Sequence, residues 1–166
     1  VVYFPKYNYS RLDKERNSHM IKAESRAEAT WEGNLFQGHG SVQVGSGVIG
    51  TQPISWATRT ERSKGKTSPE ELIAAAHAGC YAMAFSNTLA SGGHTAERLT
   101  VNATCTFEQI EGGFKIGSIT LDVRGKVPGL DADGFAQAAQ KAEQGCPVSN
   151  ALRNNVVIHV NAHLED

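Results

Sequence analysis

Between Ser68 and Gly93 the chain carries one long helix-forming run, and that run limits the fold more than any other feature of the 166 residues. Ser68-Pro69-Glu70-Glu71 is a strong start signal. Ser68 suits the N-cap, Pro69 the first helical position, and Glu71 the third, where its side chain can close a capping box. Alanine-rich sequence follows to about Ala90, and Gly92-Gly93 supplies the stop. Leu72, Ile73, Ala76, Met83, Phe85 and Leu89 are spread around most of the cylinder, so the helix is expected to be buried on more than one side. The apolar stretch from Leu72 to Leu89 is interrupted by His77, Ser86 and Asn87, and is too short and polar to cross a bilayer.

Strand patterns flank this helix. Ala27 to Phe36 and Ser41 to Gly45 read as strands about a Gly38–Gly40 turn, and Ile54 to Thr60 as another short strand. Leu99 to Ile110 and Phe114 to Val127 form a hairpin about Glu111-Gly112-Gly113. Asp131 to Gln144 reads as a helix ending at Gly145, Cys146-Pro147 opens a shorter one reaching about Asn154, and Val156 to His163 alternates as a last strand. The order predicts an α+β fold with a mostly antiparallel sheet. Asn17-Ser18-His19-Met20 resembles a cloning scar before a start methionine, so residues 1–19 are expected to be an expression tail or N-terminal extension. Residues 20–166 are then one domain.

Formal net charge is -1, which gives no basic field for nucleic acid or anionic membrane. The first twenty residues lack an apolar signal region, so a cytoplasmic location is expected. Three cysteines in such a chain are better read as buried small hydrophobes or reactive thiols than as a disulfide framework. Cys80, in mid-helix, is on its own a core position, except that His77 shares its face. Cys146 stands at a helix N-cap before Pro147, where free N–H groups and the helix dipole favour thiolate. Cysteine is a poor cap compared with serine or aspartate, which favours a reactive role there. Cys105, within a strand between Thr104 and Thr106, reads as a filler of one sheet face. Arg59 is either solvated or presented to a thiol, which it would hold as thiolate. Glu70 precedes Cys80 by ten residues, roughly 15 Å along a helix, so only a second subunit could bring the two into one site. His159 and His163 lack a third ligand, and no metal or phosphate-loop motif is present.

Thr58-Arg59, the run Ser68-Pro69-Glu70-Glu71-Leu72-Ile73-Ala74-Ala75-Ala76-His77-Ala78-Gly79-Cys80, and Gly145-Cys146-Pro147-Val148-Ser149 resemble the OsmC/Ohr hydroperoxide reductase family, with the His77 and Cys-Pro-Val-Ser forms closest to its OsmC branch. Trp31-Glu32-Gly33 and Val127-Pro128-Gly129 extend the resemblance from about Ala27 to the C-terminus. It implies an intertwined homodimer, each chain giving a long central helix wrapped by a curved, mostly antiparallel sheet, with active sites at the interface. It further implies Cys80 as the peroxidatic cysteine, Cys146 as the resolving cysteine, Arg59 as the activating cation and Glu70 as its partner. The loop from Arg59 to Ser68 is one residue longer than the family pattern, which makes Arg62 the alternative cation. The implied reaction needs no metal or cofactor. Cys80 attacks an organic hydroperoxide and becomes a sulfenic acid, Cys146 condenses with it, and an external dithiol or lipoyl-type reductant restores the thiols. Leu72, Met83 and Phe85 are the expected apolar wall for an alkyl tail. The competing expectations are an apolar dimer that binds an acyl or lipid ligand, and a redox sensor that oxidises without turnover.

Overall fold

The computed structural model describes residues 22–61 and 65–165; the expected tail at 1–19 and the alternative cation Arg62 lie outside these. Three strands, β1 (Ala27–Glu32), β2 (His39–Val44) and β3 (Gln52–Ser55), form an antiparallel sheet in sequential order. A short helix α1 (Trp56–Thr60) leads to the long helix α2 (Pro69–Ser91). Strands β4 (Arg98–Ile110) and β5 (Gly113–Lys126) make the expected hairpin, turning at Gly112 with φ +85°. Helices α3 (Ala132–Gly145) and α4 (Pro147–Leu152) then carry the chain to β6 (Val157–Glu165).

The α+β class and mostly antiparallel pairing are those the sequence predicts. The strands of one chain, however, fall into two three-stranded sheets. In the second sheet β6 runs parallel to β5. The intervening helices α3 and α4 return the chain to the starting end, which is the crossover that parallel neighbours require.

One correction bears on the site. Ile54 to Thr60 is not a single strand: β3 stops at Ser55, and α1 begins there. The cause is local. Ser55 Oγ accepts from the Thr58 N–H, and the Ser55 N–H donates back to Thr58 Oγ1 at 3.2 Å. These reciprocal bonds outcompete the β preference of Trp56 and Thr58. Arg59 therefore leaves the last turn of a helix, not the end of a strand.

The start of α2 also differs in one detail. Ser68 Oγ accepts from the Glu71 N–H at 3.1 Å, as a cap should. The Glu71 carboxylate does not close the box; it accepts the Thr67 hydroxyl at 2.7 Å. Along α2, His77, Tyr81, Phe85 and Leu89 recur every fourth residue and form the buried stripe. They meet Ile119, Leu121 and Val123 of β5 and Phe135, Ala139 and Ala142 of α3 in one core. Gly125 permits the closest approach there, since a Cβ would lie 2.7 Å from the Phe135 ring. Among the described residues, only one side of α2 is covered. Ala75, Ala76, Gly79 and Met83 remain exposed, so the burial expected on further sides is not met within a single chain.

Candidate functional site

Cys80 projects from the middle of α2, and Cys146 caps the N-terminus of α4. Their sulfurs lie 3.5 Å apart although the residues are 66 positions apart in sequence. Both are free thiols, Cys146 fully buried and Cys80 partly so. A disulfide needs about 2.0 Å, so closing the bond asks for a shift of only about 1.5 Å. The Cys146 thiol makes no capping bond to its own helix and points to Cys80 instead.

The surroundings keep α4 in place. Fully buried His77 and Ser149 share a hydrogen bond of 2.8 Å between Nε2 and Oγ. The Tyr81 hydroxyl donates to the Ala139 carbonyl at 2.9 Å and fastens α2 to α3. Arg153, just past α4, donates to the Glu143 carboxylate at 2.8 Å. Burial pushes the Cys80 thiol above its usual pKa; a backbone hydrogen bond from Val148 opposes this, and neighbouring Cys146 adds to the rise. Burial lowers the pKa of His77, which favours a neutral imidazole.

A second cluster sits at the N-terminal end of α2. Arg59 meets Glu70 through Nη2–Oε1 at 2.6 Å and Nε–Oε1 at 3.1 Å. The Arg59 side chain is 29% exposed and that of Glu70 only 8%. The guanidinium also lies over the Phe107 ring, 4.2 Å from its centroid, a geometry that adds cation–π attraction. Phe107 stacks on Phe114 at 5.4 Å across the β4–β5 hairpin, and Trp56 meets Phe114 edge-on at 5.0 Å. The Arg59–Glu70 pair, Phe107 and Phe114 border a cleft of about 620 Å³ that Cys105 also lines. Burial pushes the Cys105 thiol up, and the Glu70 charge adds to this, so it is held in the neutral form.

The four expected site residues thus fall into two groups within one chain. Cys80 and Cys146 meet, and Arg59 and Glu70 meet. Arg59 is not among the groups acting on the Cys80 thiol, so the expectation that it holds that thiol ionised is not met inside a single chain. Expectation also needs correcting at the apolar wall. Phe85 is fully buried against Phe135 in the core, whereas Met83 is 70% exposed. Phe107 and Phe114 are the aromatic surface beside the cation. Their signal was present in the sequence, as bulky rings on either side of the Gly112-Gly113 turn. Cys105 packs against the core as a face filler should, yet it also faces the cleft. No group of metal-ligating side chains occurs among the described residues.

Residues 62–161 match the family model described as OsmC-like protein. The chain is 41% identical to the Peroxiredoxin OsmC of Escherichia coli K12 over 133 residues, which is 80% of this chain and 92% of that protein. It is 35% identical over 95 residues to the organic hydroperoxide resistance protein of Xanthomonas axonopodis pv. citri, covering 54% of this chain and 62% of that one. Among solved structures, the organic hydroperoxide resistance protein OhrB of Bacillus subtilis superimposes with a TM-score of 0.67 at 26% identity, over 83% of this chain and 98% of that chain.

Proposed function

Because this chain belongs to the OsmC-like protein family, we propose that it is a thiol peroxidase that reduces organic hydroperoxides through Cys80 and Cys146. The observation that carries the residue assignment is the 3.5 Å separation of the two sulfurs. Cys80 thiolate attacks the terminal oxygen of the hydroperoxide. The O–O bond breaks, Cys80 takes the terminal oxygen with its hydrogen as a sulfenic acid, and the alkoxide takes up the proton that the thiol released and leaves as the alcohol. Cys146 then attacks the Cys80 sulfur, water departs, and the disulfide forms. A dithiol of the lipoyl type regenerates both thiols by exchange. That recycling suits a reducing compartment such as the cytoplasm. No helix among the described residues is long and apolar enough to cross a membrane.

The first step needs a thiolate, and burial works against one at Cys80. A cation is required, and we assign it to Arg59 of a second copy, oriented by Glu70 of that same copy. Two features support a dimer. Ala75, Ala76, Gly79 and Met83 leave an apolar face of α2 open. Every residue of β1 is exposed as well, and a three-stranded sheet needs a covered face to be stable. Phe107 and Phe114 then stand where the alkyl part of the peroxide can bury apolar surface.

The test is peroxide consumption driven by a dithiol, with cumene hydroperoxide as substrate. The full chain should turn over many equivalents, and Cys80→Ser should turn over none. Stoichiometric oxidation that stops after one equivalent would mark a sensor, not an enzyme.

A further inference from the structure

Cys80 meets the Cys146 sulfur and accepts a backbone hydrogen bond from Val148 of α4. A third contact between α2 and α4 through polar atoms is the bond between His77 and Ser149. His77 precedes Cys80 by three residues, and Ser149 follows Cys146 by three. Residues three apart share a helix face. The two helices therefore meet through two parallel rungs, sulfur to sulfur at 3.5 Å and imidazole to hydroxyl at 2.8 Å. Core packing alone gives no reason for the second rung. Both residues are fully buried, and His77 Nδ1 has no hydrogen-bond partner among the described residues, an arrangement that an apolar pair of similar size would avoid.

Helix α4 has six residues, too few to hold its own shape without tertiary anchors. Where Cys146 stands is therefore decided by what grips α4. Arg153 holds one end through Glu143, while the Val148 N–H to Cys80 and Ser149 to His77 hold the first turn.

We propose that the His77–Ser149 hydrogen bond is the positioning element of the resolving step. It keeps the first turn of α4 against α2, so that Cys146 reaches the Cys80 sulfenic acid before a second hydroperoxide does. The inference rests on the peroxidatic and resolving roles assigned above. In the step concerned, the Cys146 sulfur bonds to the Cys80 sulfur and the Cys80 S–O bond breaks. The departing hydroxide takes the Cys146 proton and leaves as water. The competing step transfers a second oxygen from hydroperoxide to Cys80, giving a sulfinic acid and a second alcohol.

With the bond held, the sulfurs need only the remaining short approach. Without it, α4 can pivot about Pro147 and Arg153, and Cys146 spends less time in line. The measurable consequence is a change in the partition of the sulfenic acid, separate from the rate at which it forms.

The experiment uses the full chain, a cumene hydroperoxide pulse, rapid quenching and intact-mass analysis. It follows Ser149→Ala, His77→Leu and the double variant. Each single variant should lower the ratio of disulfide to sulfinic acid roughly tenfold, as loss of one buried hydrogen bond implies. That loss should exceed any change in the rate of Cys80 oxidation. The double variant should fall no further than the singles, because both remove the same bond. An unchanged ratio in either single, a ratio that merely tracks the first-step rate, or additive losses in the double would overturn the inference. If the unsubstituted protein itself forms no Cys80–Cys146 disulfide, the peroxidase assignment falls with it. If it forms that disulfide and the variants partition alike, only the positioning role falls.

Discussion

Replacing each member of the Arg59–Glu70 pair should reveal an asymmetry set by burial. Glu70→Gln keeps the shape and removes the charge. Its main bond to Arg59, at 2.6 Å, then keeps the charge on the donor and loses the charge on the acceptor. Removing one of the two charges takes away part of the about 1.5–3 kcal/mol that such a bond contributes, so the loss should be about 1–2 kcal/mol. Arg59→Met does something different. It leaves a carboxylate that is only 8% exposed without a counter-charge. Orphaning a buried ion costs about 3–5 kcal/mol, and the opening that exposed Arg59 at 29% lets water in, which favours the lower end of that range. In a domain of this size each kcal/mol moves Tm by about 2–4 °C, so the shifts should be about 2–8 °C for Glu70→Gln and about 6–12 °C for Arg59→Met. Urea titration of the reduced protein gives the free energies, and peroxide turnover gives the functional cost. Turnover should fall at least roughly tenfold in both, the rate equivalent of one charge-assisted bond. Arg59→Met proving the milder change in stability, or full turnover in either variant, would refute the reasoning.

Three further outcomes are expected. Cys146→Ser should consume about one hydroperoxide per chain and stall with Cys80 as sulfenic acid, or about two where Cys80 goes on to sulfinic acid, as intact mass will show. The depressed pKa of His77 predicts a pH dependence of stability. Near its ordinary value of 6.5 the unfolded chain begins to take up a proton that buried His77 refuses. Stability from this source is full above about pH 6.5 and declines below it by up to about 1.4 kcal/mol per pH unit until His77 itself protonates. Urea titrations of the protein and of His77→Gln should diverge in that window, with the steeper decline in the unsubstituted protein; parallel curves would contradict the assignment. Met83→Glu should dissociate the proposed dimer, because it would bury a charge in the apolar face of α2, and sedimentation should report a monomer with little turnover.

The sequence revealed what local interactions decide. Ser68, Pro69 and Gly92 bound α2 because caps act within one turn, and the β4–β5 hairpin follows from the Gly112-Gly113 turn. The break between β3 and α1 was hidden. Ile54 to Thr60 has the composition of a strand, and only reciprocal bonds between Ser55 and Thr58 turn it into a helix. Glu71 likewise had two possible partners, and Thr67 won it. The cleft was less legible still. Trp56 and Arg59 share α1, and the hairpin joins Phe107 to Phe114, but nothing in the spacing states that the two pairs converge. The meeting of Cys80 with Cys146 rested on resemblance to a family, because no local rule spans 66 residues. Chain-level reasoning did anticipate that Glu70 and Cys80 stand apart on one rigid helix. The structure keeps that separation and leaves an open apolar face where a second copy would sit.

The most direct test is peptide mapping by mass spectrometry after a sub-stoichiometric pulse of cumene hydroperoxide on the fully reduced protein. One Cys80–Cys146 disulfide should form for each hydroperoxide consumed, with Cys105 still a free thiol. Cys80 linked to Cys105, or the peroxide consumed with Cys80 and Cys146 both still reduced, would contradict this.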